Sequence, residues 1–389
     1  MFGIQAARLF DGVNPSPLLR PVVLLEGGRV VSVQRQGGSL PTAQVTQFPG
    51  ATLLPGLVDA HVHLIFRGTR DPIGDLAGMT DHKARTWMRI AAKTSLEAGV
   101  TTIRDLGDRN YLALRLRTEL SRDLGAGPEV LASGPPMTVP HGHCWFLGGE
   151  ADGEGNLQRA VRERADRGVD VIKVMASGGE MTPGSRSWEP QYTVAELRAA
   201  VLEAQRSGIP LTAHAHSVEG IRRAVAAGVR MIEHCTFLTA DGVIPDARLI
   251  EAIVDAGVVV SITVGFDPSG PELSPAAAER MRGVLLGALR LRDAGGTLVC
   301  GSDAGVSKHK PHGVLPYSVG AMVSAGFTPL EALRSVTSVA AEACGVGNRK
   351  GRVAPGYDAD LLAVDEDPLQ NIHALHRVVA VYRAGRRVR

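Results

Sequence analysis

Four histidines, one lysine and one aspartate stand at or near the ends of apolar runs in this chain, and together they could hold metal ions and activate water. They are His61, His63, Lys173, His214, His234 and Asp303. His61 and His63 lie two apart at the end of TLLPGLVDAHVHL. On a strand that spacing puts both imidazoles on one face, where both can reach one ion. His214 and His216 repeat it in IPLTAHAH, Glu233-His234 closes VRMIEHC, and Ser302-Asp303 closes TLVCGSDA. A single histidine at a strand end is more often a hydrogen-bonded structural residue than a ligand. Four such positions on four separate runs are not explained that way, and neutral imidazole with carboxylate suits zinc or a similar divalent cation.

Lys173 carries the sharpest inference. The chain has 42 Lys plus Arg, and only six of them, residues 83, 93, 173, 308, 310 and 350, are lysine. Burying an ammonium inside VDVIKVMA would cost about 4–7 kcal/mol unless compensated. One reading is an ion pair with Asp303 or Glu180. The other is a neutral amine that has taken up carbon dioxide to form a carbamate, an anion able to bridge two cations about 3.5–4 Å apart.

Such a set needs several strands whose ends converge. From Ala51 onward, eight strand-length apolar runs (52–64, 100–105, 129–134, 169–176, 209–216, 229–235, 258–263 and 297–304) alternate with helical stretches such as VAELRAAVLEAQRSG and SVEGIRRAVAAG. Eight βα units in about 300 residues predict an α/β fold, a (β/α)8 TIM barrel, in which polar residues at the carboxyl ends of strands face the catalytic mouth. A doubly wound sheet fits less well, because no GxGxxG follows the first strand. The start of the chain reads as short strands, with VVLLEGGRVVSV a hairpin, and GRVAPGYDADLLAVDEDP with VVAVYRAGRRV returns to strands. Residues 1–55 and 350–389 are expected to pair as one small β domain around a barrel spanning 56–349.

The bulk properties exclude several classes. With 389 residues, 44% hydrophobic and 21% charged, the chain can bury a large core. A net charge of +2 supplies no field for nucleic acid or an anionic membrane. No signal peptide or bilayer-spanning run is seen. Cys144, Cys235, Cys300 and Cys344 lie far apart, as expected of reduced thiols in a cytoplasmic protein.

LPGLVDAHVHL, the fourth-strand lysine, HAH, IEHC and GSDAG, followed by GRVAPGYDADLLAVD, resemble the amidohydrolase superfamily over essentially the whole chain, in order and in spacing. The likeness is to its binuclear branch with a carboxylated lysine. The resemblance implies a barrel with a β-sandwich formed by both chain ends and two divalent ions, Zn2+ by ligand chemistry. His61 and His63 with Asp303 would hold one ion, His214 and His234 the second, and carboxylated Lys173 would bridge them. Asp303 would be the general base toward an activated water. His216 would be a further pocket residue or a hydrogen-bonded neighbour. His141 or His143, in MTVPHGHCWF, would donate to the oxyanion or else pack the loop. A homo-oligomer acting on a small-molecule amide or peptide is implied. Superfamily deaminases place a Glu three residues after the strand-five histidine; here that position is Ser217, which argues against deamination.

IKVMASGGEMTPGS, the stretch 214–238 and PHGVLPYSVGAMVSAGFTPLEALRSVT are similar to prolidase-like and arginine-carboxypeptidase-like amidohydrolases, which cleave dipeptides or N-acyl amino acids at the C-terminal residue. Two departures stand out. Val139-Pro140 replaces Gly-Gly, and Phe237 replaces a Tyr that helps hold the substrate carboxylate. Arg186, Lys308 or Arg67 could substitute for it, or be solvated surface. Trp145, Trp188, Met175 and Phe237 suggest a partly apolar pocket. The substrate read from this is a dipeptide or apolar N-acyl amino acid, with a cyclic amide, urea, carbamate, lactone or xenobiotic amide as the alternative.

Overall fold

The computed structural model describes residues 1–35, 44–270 and 272–389. The expected first β segment, 1–55, therefore includes residues 36–43, outside the described residues. Eight strands follow one another at Leu57–Val62, Val100–Asp105, Glu129–Ala132, Ile172–Met175, Leu211–Ser217, Met231–Thr239, Val259–Ile262 and Leu298–Cys300. All pairings among these eight are parallel. The first three form one ladder and the last five another. Parallel bridges Met137↔Val174 and Val62↔Ala304 close the two seams into a (β/α)8 barrel. Both seams touch site residues: the Met137 N–H donates to the Lys173 carbonyl at 2.8 Å, and the Asp303 N–H to the His61 carbonyl at 2.7 Å.

The connecting helices start and stop where their sequence dictates. Val194–Arg206 opens with a capping box between Thr193 and Glu196. Val218–Ala227 ends on Gly228 at φ +87°, a left-handed cap that glycine adopts without a Cβ penalty. The first run corrects the expectation from sequence. TLLPGLVDAHVHL is two strands, Val45–Pro55 in the end sheet and Leu57–Val62 in the barrel. Gly56 separates them because the chain passes so close to Thr101 that a Cβ there would lie 2.2 Å from its hydroxyl.

The chain ends meet in one eight-stranded sheet. Leu361–Asp365 runs antiparallel to Val45–Pro55, with Leu362 opposite Leu54. The expected hairpin pairs Val22–Glu26 with Arg29–Gln34 across Gly27 and Gly28, whose φ values of +56° and +79° suit a tight primed turn. Alternation divides the sheet's side chains between two cores. Leu53, Leu361 and Ala363 pack in the sheet's own cluster, while Leu54, Leu362 and Val364 join the barrel core. No helix among the described residues is long and apolar enough to cross a membrane.

A charged cluster joins the two cores. Glu129, at the base of the third strand, pairs with Arg349 and lies 3.1 Å from Lys350 Nζ, which also reaches Asp358 at 3.0 Å and Asp360 at 2.5 Å. Burial alone would raise the Glu129 carboxyl, but the Arg349 hydrogen bond and the Lys350 charge outweigh it and bring the pKa down to about 2. A depressed carboxylate stabilises the fold above its unfolded pKa and loses that stabilisation as pH falls through the folded value. The expected result is that Glu129→Gln lowers stability at pH 7 by on the order of 2–3 kcal/mol. The deficit should shrink between about pH 4.5 and pH 2 in denaturant titrations, and a deficit independent of pH would count against the pairing.

Candidate metal centre

The carboxyl ends of the strands bring the predicted ligands together as two groups. His61 and His63 converge with Asp303, and His214 and His234 converge with His216. His61 Nε2 lies 3.3 Å from His63 Nε2 and 3.5 Å from Asp303 Oδ1, which is 3.7 Å from His63 Nε2. The His61 and His234 rings, one from each group, have centroids 4.8 Å apart.

Hydrogen bonds decide which nitrogen each ring offers. The Gly107 carbonyl can only accept, so His63 Nδ1 is the donor at 3.2 Å and Nε2 keeps its lone pair. The Gly178 carbonyl fixes His214 in the opposite sense, through Nε2 at 3.1 Å, leaving Nδ1 free. His61 Nδ1 donates to Glu233 Oε2 at 2.9 Å. His234 Nδ1 meets the Thr263 hydroxyl, and His216 Nδ1 the Thr236 hydroxyl, each at 2.9 Å. Each imidazole thus has one nitrogen tied to protein and one turned inward, the arrangement in which a histidine serves as a metal ligand. Lone pairs of His61 and His63 facing each other are stable only with a cation or proton between them, and protons are disfavoured. Burial and the Lys173 charge lower the His61 pKa to about 4 and the His63 pKa to about 3. Burial and the neighbouring imidazoles of His216 and His143 push His214 well below its usual value, and burial with His216 and His214 does the same for His234.

Lys173 is 1% exposed and its Nζ has no hydrogen-bond partner among the described residues. Neither ion pair considered from the sequence forms: Asp303 faces the histidines, and Glu180 pairs with Arg280. Burial lowers the Lys173 pKa to about 8, so a sizeable fraction is uncharged amine near neutrality. A buried nitrogen without a partner, facing two sets of metal-competent atoms, fits a site completed by groups beyond the protein chain.

Behind these atoms stands a layer the sequence did not reveal. Glu233 accepts from His61, from Arg104 Nη2 at 2.9 Å and from the Thr212 hydroxyl at 2.6 Å. Burial would raise its carboxyl, but Arg104 and His61 hold it far below the usual carboxylate range. Asp59 accepts from the Ser302 N–H at 2.9 Å and its hydroxyl at 2.5 Å, pinning the turn that carries Asp303. Asp303 and His234 have φ of +54° and +71°, a left-handed conformation costly for such residues unless the surroundings enforce it. Buried charges inside apolar runs, Arg104 in VTTIRD and Glu233 in VRMIEHC, were the signal available. Glu233→Gln is expected to weaken metal retention 10–100-fold. Metal content after dialysis against a weak chelator checks this, and full retention would remove Glu233 as the group that orients His61.

The remaining candidates divide. His143, Met175 and His216 line a cavity of about 570 Å³ with Lys173, His214, His234 and Asp303. His143 is buried with its centroid 4.7 Å from that of His214. His141 is on the surface, edge-on to the exposed Trp145 at 5.8 Å, and neither lines the cavity. Arg186 is an exposed partner of Glu189. Phe237 is fully buried against Gly287 in the barrel core, while Thr236 and Leu238 face the cavity. The chain is irregular here, with His234, Cys235 and Phe237 all at positive φ, and this backbone turns Thr236 and Leu238 to the cavity and Phe237 away from it, so the missing Tyr hydroxyl leaves no vacancy in this cavity wall.

A closed parallel barrel with inward-facing imidazoles, a carboxylate and a buried lysine at its carboxyl end defines a metal-binding enzyme scaffold. Residues 52–388 match the amidohydrolase family, and the chain belongs to that family, whose members are hydrolases of carbon–nitrogen bonds. It is 29% identical to ochratoxinase of Aspergillus niger over 372 residues, covering 85% of this chain and 73% of that protein. Among solved structures it is similar to a Xaa-Pro dipeptidase with methionine bound in the active site, at TM-score 0.87 and 26% identity over 99% of both chains. It is also similar to a prolidase complexed with N-methylphosphonate-L-proline, at TM-score 0.86 and 27% identity over 100% of this chain and 99% of that one.

Proposed function

We propose that the chain hydrolyses the amide bond to a C-terminal amino-acid residue, in a dipeptide or an N-acyl amino acid, with two divalent cations, Zn2+ first, joined by carboxylated Lys173. The observation that carries the reading is the unpartnered Lys173 Nζ among five inward-facing imidazole nitrogens and the Asp303 carboxylate, on the floor of a cavity of about 570 Å³. The resemblance to a dipeptidase, a prolidase and ochratoxinase supports it. Cations held there would supply Lewis acidity, acidifying a water and polarising the scissile carbonyl.

The chain's own residues do the rest. Asp303 Oδ1 accepts the proton of the attacking water and later returns it to the departing amine. The Thr182 hydroxyl accepts the Cys144 N–H at 2.8 Å, which directs its own hydrogen to His143 Nδ1 at 3.3 Å. His143 Nε2, 3.5 Å from Cys144 Sγ, is then the protonated nitrogen and would turn from that weak sulfur acceptor to the developing oxyanion. Met175, Met181, Leu238 and Val284 give the wall its apolar stretch, suited to a hydrophobic side chain or acyl group. A cytoplasmic homo-oligomer completes the reading, in keeping with four unpaired cysteines.

Metal analysis of the purified protein, joined to a screen of dipeptides and N-acyl amino acids, tests it. Two metals per chain with turnover of apolar members is the expected result. Fewer than two metals sinks the bridged centre. Turnover confined to cyclic amides, ureas, carbamates or lactones sinks the substrate class.

A further inference from the structure

We propose that Lys310 anchors the carboxylate of the substrate, a role that rests on the amino-acid-amide reading above and gives its pocket a buried cation. Lys310 follows the eighth strand, is 6% exposed and lines the cavity that holds the metal-ligating set. Its Nζ donates to the Thr263 carbonyl at 2.8 Å and the Ser302 carbonyl at 3.1 Å. An ammonium has three donors, so one N–H has no acceptor among the described residues. Among the described residues Lys310 forms no ion pair. The acids whose fields reach it are Asp303 and Asp59. Asp59 is occupied by Ser302, and Asp303 faces His61 and His63.

Its position is fixed on every side. The Thr263 hydroxyl bonds His234, and Ser302 immediately precedes Asp303, so the ammonium is pinned over the junction of the two ligand groups. The Lys310 N–H donates to the Ser307 carbonyl and its own carbonyl accepts from the Gly305 N–H, clamping the loop. The stem is held with Nζ 5.2 Å from the Phe266 ring centroid. A buried cation with two neutral acceptors is costly to maintain, and an anion at its open donor offsets that cost. Of the other charges of the cavity wall, Arg280 pairs with Glu180 and Asp71 caps the helix Pro72–Ala77, while Arg70 lies exposed at the solvent side of the wall and Lys310 is the buried cation beside the ligand groups. A carboxylate α to the scissile nitrogen is within the reach of one small substrate from the ligand groups that Lys310 overhangs.

The test uses the metal-loaded protein and two small ligands, L-leucine and L-leucinol, which share amine and side chain and differ in the carboxylate. Calorimetry gives the affinity of each for the wild type, K310M and K310Q. K310Q is neutral but keeps donors toward both carbonyls, so it separates lost charge from lost packing. L-leucine should bind both variants at least ~30-fold more weakly, with L-leucinol changed less than about twofold and metal content unaltered. Equal weakening of both ligands, unchanged L-leucine binding, or a wild type that holds L-leucinol as tightly as L-leucine overturns the anchor. A K310Q that loses its metals or its fold assigns Lys310 to joining the two strand ends and overturns it too. Turnover is read separately. Lys310-dependent binding of L-leucine without hydrolysis of N-acetyl-L-leucine leaves the anchor standing and removes the proposed reaction. Equal hydrolysis of N-acetyl-L-leucine and a carboxylate-free anilide keeps amide hydrolysis and removes the anchor.

Discussion

Asp303→Asn is expected to lower kcat by roughly 10²–10⁴-fold on any substrate the chain hydrolyses, with its structure intact. The substitution is nearly isosteric, and asparagine tolerates the left-handed backbone that residue 303 adopts at φ +54°. The bonds that hold the turn come from its backbone and from Ser302: the Asp303 N–H to the His61 carbonyl at 2.7 Å, and the Ser302 hydroxyl to Asp59 at 2.5 Å. None of them needs the 303 carboxylate. What is lost is the proton acceptor, together with the negative charge facing His61 Nε2 at 3.5 Å and His63 Nε2 at 3.7 Å. Steady-state kinetics with metal analysis on the same sample separate the two losses. A variant that keeps its metals but not its turnover has lost the base, and one that keeps full activity removes Asp303 from the chemistry.

Lys173→Ala is expected to act more broadly than Asp303→Asn, because it reaches both candidate ligand groups at once. Burial is the main cause that lowers the pKa of His61, His63, His143, His214, His216 and His234, and the Lys173 charge adds to it at every one of them. A buried ammonium there would sit among neutral imidazoles with nothing accepting from its nitrogen, a cost relieved if the amine becomes an anion that binds cations. Carboxylation reverses the sign, from a group that repels cations to one that binds them. Its removal should drop the metal content below two per chain and turnover by on the order of 10³-fold, the equivalent of several kcal/mol of lost charge stabilisation. Acetate or propionate should restore part of both, since a small carboxylate fits the space vacated by the side chain. A full metal complement in Lys173→Ala, or activity indifferent to added carboxylate, would dismiss the bridge.

Much of the site was legible because strand periodicity and metal chemistry are both local rules. HxH puts two rings on one face wherever it occurs in a strand, and the histidines and Asp303 lie toward the carboxyl ends of runs that the fold makes into barrel strands. The hairpin at Gly27-Gly28 and the cap at Gly228 were legible for the same reason: positive φ favours glycine at defined offsets. Alternation could not choose between His141 and His143, since they share a parity. The choice fell to a turn in which the Gly142 N–H donates to the Val139 carbonyl, which leaves His141 outside and His143 buried. Gly56 escaped notice because its necessity lies in Thr101, a neighbour by contact and not by sequence.

The sequence by itself determined the barrel, the inventory of candidate ligands and the anomaly of a lysine in an apolar strand, since each follows from the order of residue types along one strand or turn. Only the tertiary structure decided that Glu233 and Arg104 orient His61, that Phe237 turns away from the cavity and that Lys310 turns into it. Those outcomes depend on which strands become neighbours and on where backbone carbonyls are left to accept. Lys173 belongs to both accounts. Its residue type was plain in the sequence, but the absence of any partner for its nitrogen appears only once the eight strands close around it.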